Sequence, residues 1–228
     1  MQESTSNQTS EQPEAWEADT GRPRPEEGSG FWVKRGDEFG YAKHDKPGEE
    51  WLGSRLGQLL HCPVARVERG QFAGQLIAVS RVRSIDTTPL SRAKHAEHAI
   101  SSALKRASGL IPFLLWIGSG DHGKEGNFVI TPNAEGNLEV EAIDFGYCFE
   151  WKADGLPGVA ILQDLIDNRD ADRVEAVLAA IGSLSDGCIL ECCRQSGISN
   201  ADQVAAKLIS RKKSLRDWLA PLNTHGMN

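Results

Sequence analysis

The sequence predicts an α+β fold in two lobes, a small antiparallel sheet with one helix followed by a mainly helical part that contains one β-hairpin. Residues 31–43 and 64–82 each hold two short apolar stretches separated by turn residues, which is typical of hairpins. Between them, residues 49–60 keep their apolar side chains at helical spacing. Helical patterns dominate after residue 91, and only residues 128–143 predict a further pair of strands.

The size and charge of the chain limit the classes of function. A length of 228 residues suits one large domain or two lobes that share a cleft. The chain has 25 basic and 32 acidic residues, but residues 1–30 hold seven of the acids and two arginines, so the remainder is close to neutral. A broad nucleic-acid interface needs a concentrated basic face, and we therefore expect no direct binding to nucleic acid.

The same composition predicts a soluble, cytoplasmic protein without a membrane segment. No apolar run approaches the ~20 residues that cross a bilayer, and the N-terminus lacks a basic and then apolar signal pattern. Five cysteines, an odd number, fit reduced thiols. They are Cys62, Cys148, Cys188, Cys192 and Cys193.

Residues 1–27 predict a disordered acidic tail. They are rich in Ser, Thr, Gln, Glu and Pro and contain one isolated aromatic side chain, Trp16, which is too little apolar surface to offset the entropy of ordering. A docking or phosphoacceptor segment is the alternative to a plain solubilising tail.

Residues 28–84 form the predicted N-terminal lobe. The loop Gly28-Ser29-Gly30 precedes a strand, and small residues there would let backbone N–H groups approach phosphate oxygens. An ordinary linker end is the alternative interpretation. Lys43 ends the returning strand, where its ammonium could reach an α- or β-phosphate of a nucleotide.

The helix at residues 49–60 supports this interpretation of Lys43. Glu50 lies in its first turn, where an acidic residue also favours the helix dipole. The sharper interpretation is that Glu50 pairs with Lys43. Residues 64–67 and 75–82 predict the second hairpin, with 68–74 as its loop. The segment 79–85, which includes Ser80, would lead into the next lobe and could present its backbone to an adenine edge.

Residues 85–228 form the predicted C-terminal lobe. A helix at 91–107 places His95 and His98 one turn apart, but no third metal ligand stands at a fitting spacing, so we expect a surface face. The later helices are expected at residues 158–166, 170–181, 186–196, 200–209 and 214–219. A basic cluster at 211–213 is interpreted as solvated surface.

The stretch 111–149 holds the chemistry. An apolar run leads into a Gly-rich turn, and strands at 128–130 and 138–143 then form a hairpin. The two ends of this hairpin would bring Asp121, Asn127 and Asp144 together.

These residue types suit phosphoryl transfer, which needs metal-bound phosphates and an oriented hydroxyl more than covalent chemistry. Asp144 and Asn127 offer the hard oxygen ligands that Mg²⁺ prefers. Asp121 remains to take the proton of the acceptor. His122 and Lys124 of the same turn are the other catalytic candidates.

Taken together, Lys43, Glu50, the loop 121–127 and Asp144 with the following Phe and Gly resemble the HipA-like kinases, relatives of the phosphoinositide lipid kinases. The resemblance runs from about residue 28 to 222. It implies a two-lobed protein-kinase-like fold with a catalytic β-hairpin. It also implies ATP- and Mg²⁺-dependent phosphorylation of a protein Ser or Thr, in some cases as the toxin of a system with an antitoxin-like partner.

On this resemblance Lys43 would contact phosphates, Asp121 would act as base, and Asn127 and Asp144 would hold the metal. The spacing from Asp121 to Asn127 is one residue longer than in the usual loop, and His122 directly follows the aspartate instead of standing two residues on. Either a bulge absorbs the extra residue or catalysis is impaired. If catalysis is lost, the alternative is a nucleotide-binding pseudokinase or interaction module. A small-molecule or lipid-headgroup kinase is a further alternative, since the lipid kinases share these motifs. Some relatives carry an autophosphorylated serine, for which Ser29 is the nearest candidate.

Overall fold

A computed structural model describes residues 14–21, 30–82, 86–150 and 161–224, and this part of the chain is an α+β structure. Its strands are β1 (Glu14–Ala15), β2 (Glu17–Ala18), β3 (Phe31–Arg35), β4 (Glu38–Lys43), β5 (Val67–Phe72), β6 (Gln75–Arg81), β7 (Thr88–Pro89), β8 (Phe128–Pro132) and β9 (Leu138–Ala142). Its α-helices are α1 (Pro47–Leu59), α2 (Glu97–Arg106), α3 (Leu110–Ile117), α4 (Gln163–Asp167), α5 (Ala171–Ser183), α6 (Asp186–Ser196) and α7 (Ala201–Thr224).

The first sheet has the strand order β1-β5-β6-β4-β3-β2, and all its pairs are antiparallel except that of β1 with β5. Strand β5 is longer than predicted, because most of the expected loop 68–74 belongs to it. Only Ala73 and Gly74 form the turn, both at positive φ, as a two-residue hairpin turn requires. The sequence analysis did not predict this part of β5, because most of its residues are polar or glycine and give no apolar pattern.

Residues 14–18 close this sheet, and the prediction of a disordered tail to residue 27 is wrong for them. Strand β1 pairs with β5 at one edge and β2 pairs with β3 at the other, so the segment bridges both edges. Between the two strands, Trp16 is 4% exposed and packs with Val33, Ala42 and Ile77 inside the curled sheet. One tryptophan carries enough apolar area to order a short segment against a preformed surface.

The second sheet has the order β7-β8-β9, and its hairpin β8–β9 lies where the sequence predicted it. The main core joins this hairpin to the helices. Leu52 and Leu56 of α1 belong to the same buried cluster as Phe113 and Trp116 of α3. Helix α1 is therefore packed onto the helical part of the protein as well as beside the first sheet.

Helix α3 is buried at every residue, as its wholly apolar sequence indicates. Arg211 of α7 donates hydrogen bonds to the carbonyl oxygens of Leu115 (2.5 Å) and Trp116 (2.9 Å) at the end of this helix. Arg211 is 2% exposed, so the predicted solvated cluster at 211–213 is wrong for this residue. The buried guanidinium is thus satisfied by carbonyl oxygens in the last turn of the helix, where fewer intrahelical N–H partners are available.

Other boundaries differ from the predictions. Helix α2 begins at Glu97, because residues 90–92 form a 3₁₀ turn instead of the first turn of the expected helix. Helix α7 is continuous, where two helices at 200–209 and 214–219 were expected. The first residues of the helix predicted at 158–166 lie outside the described part, and α4 begins at Gln163.

Among the described residues, no single helix is both long and apolar enough to span a membrane. Helices α5 and α6 meet the length and composition criteria only as a pair, and they are bent by 87° at their junction.

Trp16→Ala tests the role of the closing segment. We expect the free energy of unfolding to fall by about 3–5 kcal/mol, because the change leaves a large cavity in the sheet interior. Urea denaturation of the full chain measures it. Glu17→Ala, at an exposed neighbour on the same segment, should change stability by less than about 0.5 kcal/mol. Equal stability of the two variants would contradict a structural role for residues 14–18.

Candidate functional site

Lys43 lies at the centre of the candidate site, between two carboxylates from distant parts of the chain. Its Nζ is 3.0 Å from Oε1 of Glu50 on α1 and 2.8 Å from Oδ1 of Asp144, which follows β9. The pairing of Lys43 with Glu50 was predicted. The side chain of Glu50 is almost fully buried, whereas that of Asp144 is 30% exposed. Asp144 is therefore the carboxylate of the two that is accessible to solvent.

The three charges fix one another's protonation states. Burial lowers the pKa of Lys43, but the Glu50 and Asp144 carboxylates more than reverse this, and the net pKa is raised. Burial raises the pKa of Asp144, but Lys43 and a hydrogen bond with Glu50 bring the net pKa below its ordinary value. For Glu50, burial and the nearby Asp144 raise the pKa more than Lys43 lowers it. At neutral pH Lys43 is a cation and Asp144 an anion.

Glu50 also holds the segment after Asp144. Its Oε2 accepts a hydrogen bond of 2.9 Å from the backbone N–H of Phe145. Asp144 itself has φ +64°, a left-handed conformation that costs energy in non-glycine residues and is concentrated at functional sites. Asp144 is thus fixed through its backbone and through Lys43.

Gly53 of α1 permits the close approach of this helix to Phe145. A Cβ added at Gly53 would lie 2.4 Å from Cγ of Phe145, closer than side chains approach. Gly57, one turn later, similarly lies against Val64. Sequence reasoning missed both positions, although two glycines four residues apart within a helix are a signal of close packing.

The loop from Asp121 to Asn127 closes on itself despite its extra residue. A 3₁₀ turn at Glu125–Asn127 shortens the path, and the side-chain amide of Asn127 donates to the carbonyl oxygen of Asp121 at 3.0 Å. The backbone N–H of Ile143 donates to the carbonyl oxygen of Asn127 at 2.9 Å. The structure therefore brings the loop and the end of β9 together, as the hairpin predicted.

Asp121 and Lys124 face the open side of this loop. Nζ of Lys124 is 2.6 Å from Oδ1 of Asp121, and its side chain is 71% exposed. The hydrogen bond to Asp121 raises the pKa of Lys124, and the Asp144 carboxylate raises it further. The Asp121 and Asp144 carboxylates therefore both act electrostatically on the Lys124 ammonium.

His122 lies beneath the site, so a direct catalytic role does not fit its position. The ring is fully buried, with Nδ1 2.5 Å from Oγ of Ser119 and Nε2 2.9 Å from the carbonyl oxygen of Ile143, and it stacks on Phe145. Burial lowers the pKa of His122 to about 4. We therefore describe His122 as a neutral positioning residue that ties the loop to the residue before Asp144. The role of Ser119 was not foreseen.

The predicted phosphate-loop residues are placed only in part. Gly28 and Ser29 lie outside the described residues. Gly30 packs against Tyr41, and an added Cβ would lie 2.3 Å from the Tyr41 ring, so tight packing explains this glycine without a ligand.

Ser80 does not fit the predicted backbone contact with adenine. It lies inside β6, where it pairs with Tyr41 of β4 on one side and Val67 of β5 on the other. A residue within a central strand has no free backbone edge for a ligand. The predicted strand at 75–82 already contained Ser80, so the error lay in expecting a ligand contact from the backbone of a paired strand.

The candidate metal ligands are Asp144 and Asn127. Because the amide nitrogen of Asn127 is engaged by Asp121, its oxygen Oδ1 is the atom that could bind a cation. Across the described ranges, no group of three or more His, Cys, Asp or Glu side chains could hold a metal ion. A pair of oxygen donors still fits Mg²⁺, which commonly takes one or two protein ligands and completes its shell with phosphates and water.

The strands, helices and charged residues described above make up a recognisable type of fold. A curled, mostly antiparallel sheet, a helix whose buried glutamate pairs with a strand lysine, and a helical part with an aspartate after a hairpin form a kinase-like α+β fold. No protein-family model matches the chain, and a search of curated proteins also gave no match.

The structure of this chain is similar to that of a solved kinase. The crystal structure of the proinflammatory kinase CtkA of Helicobacter pylori is similar with a TM-score of 0.62 and 12% sequence identity, over 94% of this chain and 99% of CtkA. At this identity the similarity concerns the fold alone, and the kinase-like fold implied by the HipA-like resemblance is confirmed. HipA of Shewanella oneidensis MR-1, solved with HipB and operator DNA, matches at a TM-score of 0.41 and 11% identity over 90% of this chain and 64% of HipA. This second likeness is too distant to add to the conclusion.

Gly53→Ala should disturb the site through packing alone. The new methyl group must displace Phe145 or α1, and we expect a loss of about 1–3 kcal/mol in the free energy of unfolding. Gly182→Ala is the matched control, because Gly182 lies in α5 with open space around it and should gain about 0.5–1 kcal/mol. Thermal denaturation compares the two. Stabilisation by both substitutions would show that α1 does not need its close approach to Phe145.

His122 predicts a pH dependence of stability. Below pH 6.5 the unfolded chain protonates this histidine, while the folded chain, with a pKa of about 4, does not. The free energy of unfolding should therefore fall as the pH decreases from about 6.5 to about 4, by about 3 kcal/mol from this group.

Urea denaturation at a series of pH values measures this effect. His122→Asn should show a smaller dependence over the same range, and His95→Asn, at an exposed histidine, should retain the wild-type dependence. An unchanged pH dependence in the His122 variant would rule out a neutral, buried imidazole.

Proposed function

We propose that this protein is an ATP- and Mg²⁺-dependent kinase that transfers the γ-phosphoryl group to a hydroxyl of a protein Ser or Thr. One observation carries the proposal. On a kinase-like fold, Lys43 is held between a buried glutamate and a partly exposed aspartate, at 3.0 and 2.8 Å. A cation so fixed is suited to phosphate oxygens, and a buried partner such as Glu50 keeps it in place.

The side chains divide the reaction between them. The Lys43 ammonium would bind nucleotide phosphates on the side where Asp144 is exposed. The oxygen of the acceptor hydroxyl would form a bond to the γ-phosphorus while the bond from this phosphorus to the departing ADP oxygen breaks. Asp121 would accept the proton that the acceptor hydroxyl loses. Lys124, 2.6 Å from Asp121, would offer a cation to the transferred group. His122 would keep the loop in register from below.

Asp144 and Oδ1 of Asn127 would hold the metal ion. Mg²⁺, when bound, neutralises the charge of the β- and γ-phosphates and so favours transfer. The exposed face of Asp144 and the hydrogen bond that closes the loop at Asn127 support this assignment.

The acceptor and the partners rest on the resemblance to the HipA-like kinases. A protein Ser or Thr is the first choice, and a small molecule or lipid headgroup is the second, since the related lipid kinases share these motifs. An antitoxin-like partner also stays a prediction. The pseudokinase alternative arose from the extra residue between Asp121 and Asn127, and the closed 3₁₀ turn weakens its premise.

Labelled ATP with the purified chain tests the proposal. We expect Mg²⁺-dependent transfer of label to a protein acceptor, and a parallel panel of lipids and small molecules would identify the second class. Tight binding of ATP by calorimetry without transfer to any acceptor, itself included, would favour the pseudokinase.

Asp121→Asn and Asp144→Asn separate the two predicted roles. We expect Asp121→Asn to reduce kcat by about 10²–10⁴-fold, the range for loss of a general base, with little change in nucleotide affinity. Asp144→Asn should also weaken ATP binding when Mg²⁺ is present. Asp37→Asn, in the exposed turn between β3 and β4, is the control and should retain activity. Wild-type activity in both site variants would refute the proposal.

A further inference from the structure

Tyr41 lies on the same face of the first sheet as Lys43. The two residues are two positions apart on β4, and alternate residues of a strand project to the same side. Across the sheet, Tyr41 pairs with Trp32 of β3 and Ser80 of β6. Its ring meets that of Trp32 edge to face, with centroids 5.5 Å apart, which fixes its orientation. The contact with Trp32 therefore restricts the orientation of the Tyr41 ring.

The Tyr41 hydroxyl lies directly against Gly30, the residue before β3. The ring packs so closely on Gly30 that an added Cβ would lie 2.4 Å from the hydroxyl oxygen. The backbone N–H of Gly30 donates a hydrogen bond to this oxygen, and the charges of Lys43 and Asp144 act on it.

We propose that Tyr41 is a further nucleotide-binding residue, whose hydroxyl donates a hydrogen bond to a phosphate oxygen held by Lys43. This assignment rests on the proposed function. A tyrosine hydroxyl can both donate and accept, so it can accept a hydrogen bond from Gly30 and still donate one to a phosphate. The ligand class is a nucleoside polyphosphate, and the contact would discriminate it from the unphosphorylated nucleoside.

The environment keeps this hydroxyl protonated. Burial raises the pKa of Tyr41, Lys43 and the Gly30 hydrogen bond lower it, Asp144 raises it, and the net pKa is above its ordinary value. The donor proton is therefore present throughout the neutral range. A donor is what an anionic phosphate oxygen requires.

Tyr41→Phe removes the hydroxyl and keeps the ring that packs on Gly30 and Trp32. Calorimetry on the full chain should compare adenosine, ADP and ATP with Mg²⁺. We expect about tenfold weaker binding of ATP, as for loss of a hydrogen bond to a charged group, and unchanged binding of adenosine. Tyr147→Phe is the matched control, because it deletes the same group from the other tyrosine, which is 53% exposed and stacks under Lys46.

Three outcomes would overturn the assignment. Equal ATP affinity in wild type and Tyr41→Phe would show that the hydroxyl makes no phosphate contact. An equal loss for adenosine and ATP would show that it only tethers Gly30. If the wild-type chain bound no nucleotide at all, the proposed function would fail and this assignment with it, whereas the first two results leave the kinase proposal intact.

Discussion

The buried ion pair between Lys43 and Glu50 is the interaction on which the rest of the site depends. A carboxylate as buried as Glu50 is strongly destabilising unless a cation and hydrogen bonds satisfy it. Lys43 supplies the cation at 3.0 Å, and the backbone N–H of Phe145 supplies a hydrogen bond at 2.9 Å. One side chain on α1 therefore ties the first sheet to the segment that carries Asp144.

The packing of α1 makes this link rigid. Its apolar side chains belong to the main core with α3, and Gly53 and Gly57 let its backbone approach Phe145 and Val64. From the sheet side, Arg69 of β5 stacks over Trp51 of α1 and donates to the carbonyl oxygen of Gln195 at the end of α6. Helix α1 is therefore packed against the main core on one side and against the first sheet on the other. Because Glu50 lies on this helix, the same packing fixes the position of Lys43.

Local patterns predicted the main parts of this arrangement, and contacts between distant residues account for what they missed. Lys43 ends a short periodic element, Glu50 lies in the first turn of one and Asp144 follows one, and such elements can be recognised from a few residues. The closing segment at Trp16 gains its order only from a sheet formed by later residues. Ser80 was correctly placed in a strand, but its pairing with neighbours on both sides, which excludes a backbone contact with a ligand, could not be predicted from its own segment. For His122, the residue type suggested chemistry, and only its burial shows a supporting role.

The position of His122 explains how the lengthened loop stays joined to the site. Directly after Asp121, whose carboxylate faces the open side, the chain turns inward and the imidazole enters the core. There its two nitrogens meet Ser119, before the loop, and the carbonyl oxygen of Ile143, before Asp144. The inner anchor at residue 122 therefore joins the loop to the end of β9, while the outer part of the loop at Lys124 stays exposed.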